Sequence, residues 1–283
     1  MGTNADHQYF NFVAGDGCKL NAAIFKPRNN LSKSTLVLLH GGGPDHQSLL
    51  PLAKRLCYNR TVILPDVRGY GKSVCYDPSS YTWANYASDI NDLLDSLQIP
   101  NAVIGGAGIG TTISLKAAIT YPERVSGLVL ISVEDIEDDE HKAEEVAFFE
   151  QYMDQLRKNG LTAAWESILS NLSPVIGAMV RDAIPRSDSK SILAAASIVY
   201  DRAFHNITEL RDISVPLLII PGNDQRHPSA LAIQLAQLLK QAVLSDVSLS
   251  DEIRTIEDFA DAFAPVINNF LNPDHLALQK SSG

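Results

Sequence analysis

Between residues 35 and 132 short apolar runs alternate with longer helix-periodic ones, and no other feature limits the fold of this chain so tightly. TLVLLH (35–40), TVILPD (61–66), NAVIGG (101–106) and VSGLVLIS (125–132) read as strands; QSLLPLAKRL (47–56), WANYASDINDLLDSLQ (83–98) and GIGTTISLKAAITY (108–121) read as helices. Apolar strands separated by helices make βαβ units, hence a mostly parallel sheet with helices on both faces. Ahead of them, QYFNFVA and CKLNAAIF predict an antiparallel hairpin on the sheet edge. From 134 to about 211 the pattern is helical with no clear strand, and then VPLLIIPGND (215–224) returns to the sheet. SALAIQLAQLLKQA (229–242) and IEDFADAFAPVINNFL (256–271) read as the closing helices. The expected architecture is an α/β core, 1–133 and 212–283, with a helical cap, 134–211, inserted at the carboxyl end of a strand, where open α/β sheets bind ligands. The cap aromatics Phe148, Phe149, Tyr152, Trp165, Tyr200 and Phe204 come at helical spacing and predict a cap core, some of it lining an apolar pocket.

The charge balance narrows the partners. A formal net charge of −10, with no Lys/Arg cluster longer than two residues, argues against a nucleic-acid or anionic-membrane partner and for a small-molecule ligand. No apolar run approaches the roughly 20 residues of a membrane span. The first residues, MGTNADHQYF, have no apolar h-region, so no secretory signal is expected. Cys18, Cys57 and Cys75 are odd in number and widely spaced, as free thiols of a reducing compartment would be, and a cytoplasmic location follows as the expectation. No metal or cofactor motif is read: Gly106 and Gly108 fit the start of a dinucleotide-binding G-x-G-x-x-G, but Thr111 stands at its third glycine.

VIGGAGIGTTISLKAA (103–118) concentrates the functional question. Strand, G-x-x-x-G turn and helix are the layout of a sharp turn that presents a nucleophile, G-x-S-x-G. Here the five residues are Gly106, Ala107, Gly108, Ile109 and Gly110, so a glycine stands at the centre.

Five stretches, in order, carry a resemblance to the α/β-hydrolase fold superfamily over nearly the whole chain: LLHGGGPDHQSLLPLAKRL, VILPDVRGYGKS, GGAGIG, YPERVSGLVLIS and PLLIIPGNDQRHP. The resemblance implies an eight-stranded, mostly parallel sheet. It puts Gly108 at the nucleophile position, empty of a side chain, and Asp224 at the acid position. The base would be a His between the last strand and the last helix, but VLSDVSLSDEIRTIEDF (243–259) has none, and His275 lies beyond that helix. The glycines after His40 imply an oxyanion hole from the N–H groups of Gly42, Gly43 and Ile109. His46, past that loop, and His227, three residues after Asp224, are the candidates for acid, base or donor. Glu134 and Asp135 follow the sixth strand, where some members place the acid, but EDIEDDE reads as a solvated hinge into the cap. Asp66 and Arg68 read as a structural pair holding their loop.

A covalent acyl intermediate needs a nucleophilic atom and a base. Gly108 offers no atom, so the resemblance implies a ligand site for a small carbonyl compound (ester, lactone or C–C bond class) without a serine nucleophile. Three readings of Gly108 stay open: an exchange of Ser or Cys that disables a hydrolase, a natural glycine in a non-covalent acid–base catalyst such as a cyclase, isomerase or lyase, and a natural glycine in a non-catalytic binding protein. The sequence does not bound the oligomeric state. In the emptied turn it predicts room for a water or part of a ligand.

Overall fold

The computed structural model describes residues 7–27, 34–134, 136 and 139–272. Its strands are β1 (His7–Val13), β2 (Lys19–Phe25), β3 (Thr35–Leu39), β4 (Thr61–Pro65), β5 (Ala102–Ala107), β6 (Val125–Ile131), β7 (Leu217–Ile220) and β8 (Ala242–Leu244). They form one eight-stranded sheet in the order β1-β2-β4-β3-β5-β6-β7-β8. β1 pairs antiparallel with β2, and β2 with β4; every other pairing is parallel. The edge hairpin expected from QYFNFVA and CKLNAAIF is therefore β1–β2.

The parallel strands are apolar throughout because both faces are covered. Val37, Leu39, Ile104, Leu128 and Ile219 point into one core layer, whereas Leu36, Leu38, Val103, Val129 and Leu218 point into the other. That alternation is the period of two of a pleated strand. α2 (Trp83–Ser96) and α3 (Ile109–Thr120) belong to the first layer. α1 (Leu50–Leu56) and α8 (Ile256–Phe270) belong to the second. α2 starts where the Thr82 side chain accepts from the Asn85 N–H, and it buries Tyr86, Ile90, Leu93 and Leu94 along one face. α8 opens with a reciprocal Thr255–Asp258 capping box and buries Phe259, Phe263, Ile267 and Phe270.

Between β6 and β7 lie α4 (Asp139–Leu169), α5 (Pro174–Ala183) and α6 (Ser189–Ala195). α4 is broken at Gly160, whose φ of 82° and ψ of 173° no helix contains, so the chain turns there. Tyr152 and Trp165, on the two sides of that break, pack ring to ring at 5.2 Å. Of the aromatics read as cap core, Tyr152 and Phe204 are buried, whereas Tyr200 is exposed.

Two boundaries differ from the sequence reading. The run 229–242 is α7 (Ser229–Leu238) followed almost at once by β8. The helix read over 47–56 begins as a single tight turn, His46–Leu49, before α1. Pro51 sits in the first turn of α1, where its missing N–H costs nothing. No helix among the described residues is long and apolar enough to cross a membrane.

Candidate active site

β5 ends at Ala107, and Gly108 turns the chain into α3 with φ 52° and ψ −124°. That combination lies outside every region open to an L-residue without strain. Glycine adopts it at little cost. The turn is held on both sides: the Gly108 N–H donates to the Ile131 carbonyl at 3.1 Å, and the Gly108 carbonyl accepts from the Thr111 N–H at 2.8 Å. The flanking glycines let α3 approach the sheet. A Cβ on Gly106 would stand 2.6 Å from the Leu39 carbonyl oxygen, and one on Gly110 2.7 Å from the same atom.

Two ionisable side chains converge on the space over Gly108. A Cβ there would lie 3.1 Å from Glu134 Oε1 and 3.4 Å from His227 Nε2. The space over Gly108, where the sequence predicts room for a water or part of a ligand, is thus bordered closely by the Glu134 carboxylate. Glu134 Oε2 is 3.1 Å from His227 Nε2 and 3.4 Å from Arg226 Nε. Arg226 continues to Glu145 at 3.3 Å, and Glu145 to Lys142 at 2.7 Å, which carries the chain of charges onto α4. Glu134 is buried, not the solvated hinge that its acidic run suggested. Its neighbour Asp135 lies outside the described residues.

His227 reaches the elbow because its loop folds tightly after β7. Asp224 Oδ1 accepts from the N–H groups of Arg226 and His227 at 3.1 and 3.0 Å, and from His227 Nδ1 at 2.7 Å. Asp224 is therefore at once the turn-former and the partner of the imidazole. Gly222 makes the fold-back possible, since a Cβ on it would stand 2.5 Å from that of His227. The other oxygen, Asp224 Oδ2, accepts from the N–H and the hydroxyl of Ser173 at 3.3 and 3.2 Å, at the start of α5.

The electrostatics follow from this geometry. Burial by itself disfavours the imidazolium, but Glu134 and Asp224, one at each ring nitrogen, outweigh it and raise the His227 pKa to about 9. Burial likewise opposes ionisation of Asp224, yet its bonds to His227 hold its pKa down to about 2. Burial pushes Glu134 up, and the charges of His227 and Arg226 more than reverse this, leaving it below the usual carboxylate range. At neutral pH the cluster is carboxylate, imidazolium, carboxylate.

The other expected residues fall around this cluster or apart from it. His40 is a strand-end residue: its Nδ1 donates to the Gly41 carbonyl at 2.8 Å, its Nε2 accepts from the Val67 N–H at 2.9 Å, and burial lowers its pKa. Gly43, at φ 98°, lies beneath the inserted helices; a Cβ on it would meet Trp165 at 2.7 Å and Val180 at 2.9 Å. Gly42 is close to Tyr70, 3.8 Å from Cβ position to hydroxyl. Ile109 is the first residue of α3, with its N–H beside Gly108. His46 is not brought to the elbow. Its Nδ1 pairs with Asp66 Oδ1 at 2.7 Å and its ring packs edge-on to Tyr9, with no hydrogen bond or ring contact to Gly108, Glu134 or His227. Asp66 and Arg68 do not pair with each other: Asp66 binds His46 and the Lys72 N–H, and Arg68 forks onto Asp89 and Asp16. A water-sized void of about 10 Å³ lies between Phe12, Leu39, Tyr86 and Ile113, and Gly108 is not among the residues that line it. A ligand over Gly108 has to displace the Glu134 carboxylate or fit against it. Among the described residues no cluster of three or more His, Cys, Asp or Glu has the arrangement to hold a metal ion.

Sequence reasoning named Glu134 as a possible acid but set it aside as part of a solvated hinge, and it missed Arg226. The signal for Glu134 was its place directly after β6, which its acidic neighbours obscured; Arg226 carried none.

Comparison with known proteins agrees with this architecture. The family whose description reads alpha/beta hydrolase fold matches residues 34–249. The 2-hydroxy-6-oxo-2,4-heptadienoate hydrolase of Pseudomonas putida is 25% identical over 264 residues, covering 83% of this chain and 88% of its own. A 2-hydroxymuconate semialdehyde hydrolase of Pseudomonas putida is 27% identical over 242 residues, covering 83% and 86%. An uncharacterized protein of Mycobacterium tuberculosis is 31% identical over 108 residues, 38% of this chain, and the match spans 31% of that relative's length. Among solved structures, the enol-lactonase from Burkholderia xenovorans LB400 superposes with a TM-score of 0.76 at 24% identity, over 93% of this chain and 99% of that one.

Proposed function

The chain belongs to the α/β-hydrolase fold family, and from that premise we propose that it acts on a small carbonyl-bearing organic molecule by acid–base chemistry at Gly108, without a covalent acyl intermediate. One observation carries this: His227 Nε2, the atom that would take a proton from a nucleophile, lies 3.4 Å from the Cβ position of Gly108 and is paired with the Glu134 carboxylate. An imidazolium in that place is a proton donor, not a base. Asp224 fixes its orientation through Nδ1. The N–H groups of Gly42, Gly43 and Ile109 are the donors for a developing oxyanion. The names of the relatives, an oxo-acid hydrolase, a semialdehyde hydrolase and an enol-lactonase, support carbonyl compounds as the substrate class.

The segment 134–211 is then the cap over this site. Trp165 lies on Gly43, Arg186 pairs with Asp45 at 2.8 Å, and Ser173 binds Asp224. The three cysteines Cys18, Cys57 and Cys75, odd in number and widely spaced, support a cytoplasmic location. A second reading, a ligand-binding protein without turnover, draws support from Gly108 itself, which offers no atom for covalent chemistry.

The test is a panel of p-nitrophenyl esters, lactones and enol lactones, with a fluorophosphonate probe alongside. Turnover of at least one lactone or enol lactone, lost in His227→Gln and without fluorophosphonate labelling, is the expected result. Labelling of the chain would contradict the proposal. Saturable binding with no turnover would favour the second reading.

A further inference from the structure

Glu134 divides its two oxygens between different tasks. Oε2 takes both cationic neighbours, His227 at 3.1 Å and Arg226 at 3.4 Å. Oε1 is the atom nearest the Cβ position of Gly108, at 3.1 Å. The elbow, which in a serine hydrolase would lift an oxygen into the site from below, here meets a carboxylate oxygen supplied from the end of β6. The neighbouring groups are committed elsewhere. Asp224 uses Oδ1 on the loop and imidazole donors and Oδ2 on Ser173. His227 Nδ1 is bonded to Asp224, whereas its Nε2 stands 3.1 Å from Glu134 Oε2 as an ion pair and 3.4 Å from the Cβ position of Gly108, where it can serve as a proton donor.

We propose that Glu134 is the catalytic base of this site, and that its substrate is an enolisable carbonyl compound from which Oε1 removes a proton at the carbon next to the carbonyl. This rests on the acid–base reading above and goes further by naming the base and the bond that breaks. The C–H bond breaks, its proton passes to Glu134 Oε1, and its electron pair forms the carbon–carbon double bond of an enolate. The negative oxygen lies against the N–H groups of Gly42, Gly43 and Ile109, and His227 Nε2 delivers the proton that makes the enol. Return of the Glu134 proton to the same carbon, or to the far carbon of a conjugated system, with His227 recovering its own, closes the cycle. The step needs no oxidant, reductant or co-reactant. Carboxylate and imidazolium are the protonation states in which Glu134 and His227 already stand near neutral pH.

α-Angelica lactone, an enol lactone, reports the two ideas separately. In D₂O, proton NMR follows deuterium entry at its α-carbon and migration of its double bond, while release of the oxo acid reports hydrolysis. The wild-type chain is expected to catalyse exchange and migration. Glu134→Gln should slow both by ~100-fold or more, the scale of a lost general base, and Glu134→Asp should retain part of the rate. Thermal melts of each variant separate a lost base from a lost fold; if Glu134→Gln does not fold, the Glu134→Asp rate decides, and full wild-type exchange in it overturns the assignment. Exchange lost in His227→Gln but kept in Glu134→Gln would overturn Glu134 as the base and leave the acid–base reading standing. Exchange kept in both folded variants would overturn both ideas, and so would a wild-type chain that catalyses neither exchange nor hydrolysis.

Discussion

Gly108 holds a backbone conformation that a serine would occupy only under strain, and a serine Cβ there would stand 3.1 Å from Glu134 Oε1. Restoring the serine alone should therefore do little. A Cβ at 108 would press on a carboxylate 3.1 Å away, and His227, held as an imidazolium by Glu134, could not accept the hydroxyl proton. Removing Glu134 relieves both obstacles at once, because the Asp224–His227 pair already points at position 108. Gly108→Ser should leave p-nitrophenyl acetate hydrolysis at the background of the wild-type chain. Gly108→Ser/Glu134→Ala should raise it by ~100-fold or more, with fluorophosphonate labelling appearing in the double variant only, since a positioned base activates the hydroxyl. Equal activity in the single and double variants would show that Glu134 does not block the elbow. The sequence displayed Gly108 and Asp224 plainly. It could not display that His227 comes to the elbow, because i and i+3 in a loop meet only when the turn type is known, and here Gly222 and the Asp224 side chain set the turn.

At the scale of elements, the elbow depends on how closely α3 can lie against β5 and β3. Gly106 and Gly110 both face the Leu39 carbonyl oxygen, at 2.6 and 2.7 Å from their Cβ positions, and a backbone oxygen inside a sheet cannot step aside as a side chain can. Gly106→Ala should destabilise the fold by about 1–3 kcal/mol or more, the usual cost of overpacking, measured by urea denaturation. A loss below about 0.5 kcal/mol, the level of an ordinary surface change, would mean the approach is looser than described. The strands around this turn were legible because each is an apolar run between helical ones. β8 was not, since Ala242–Leu244 is too short to show a period and follows α7 within a few residues. The helices of the 134–211 segment were legible as helices but not as contacts: nothing in the sequence says that Trp165 and Val180 come to rest on Gly43.

At the scale of the whole molecule, three separate stretches of chain meet at one charge cluster: the end of β6 brings Glu134, the loop after β7 brings Asp224, Arg226 and His227, and the inserted helices bring Glu145 and Ser173. The topology that makes this meeting possible was readable from the order of strands and helices; the meeting itself was not, because it depends on tertiary approach between residues as far apart as 134 and 227. Everything proposed for the site turns on His227 being a buried imidazolium clamped between Glu134 and Asp224. A group whose pKa is raised in the folded state adds stability in full below its unfolded value, near 6.5, and that contribution is lost as the pH rises through about 9. NMR titration of the His227 ring nitrogens measures this directly. Both nitrogens are expected to stay protonated through neutral pH and to titrate near 9, and Glu134→Gln is expected to lower the midpoint by more than about one unit. A His227 that titrates near 6.5 in both chains would contradict the clamp.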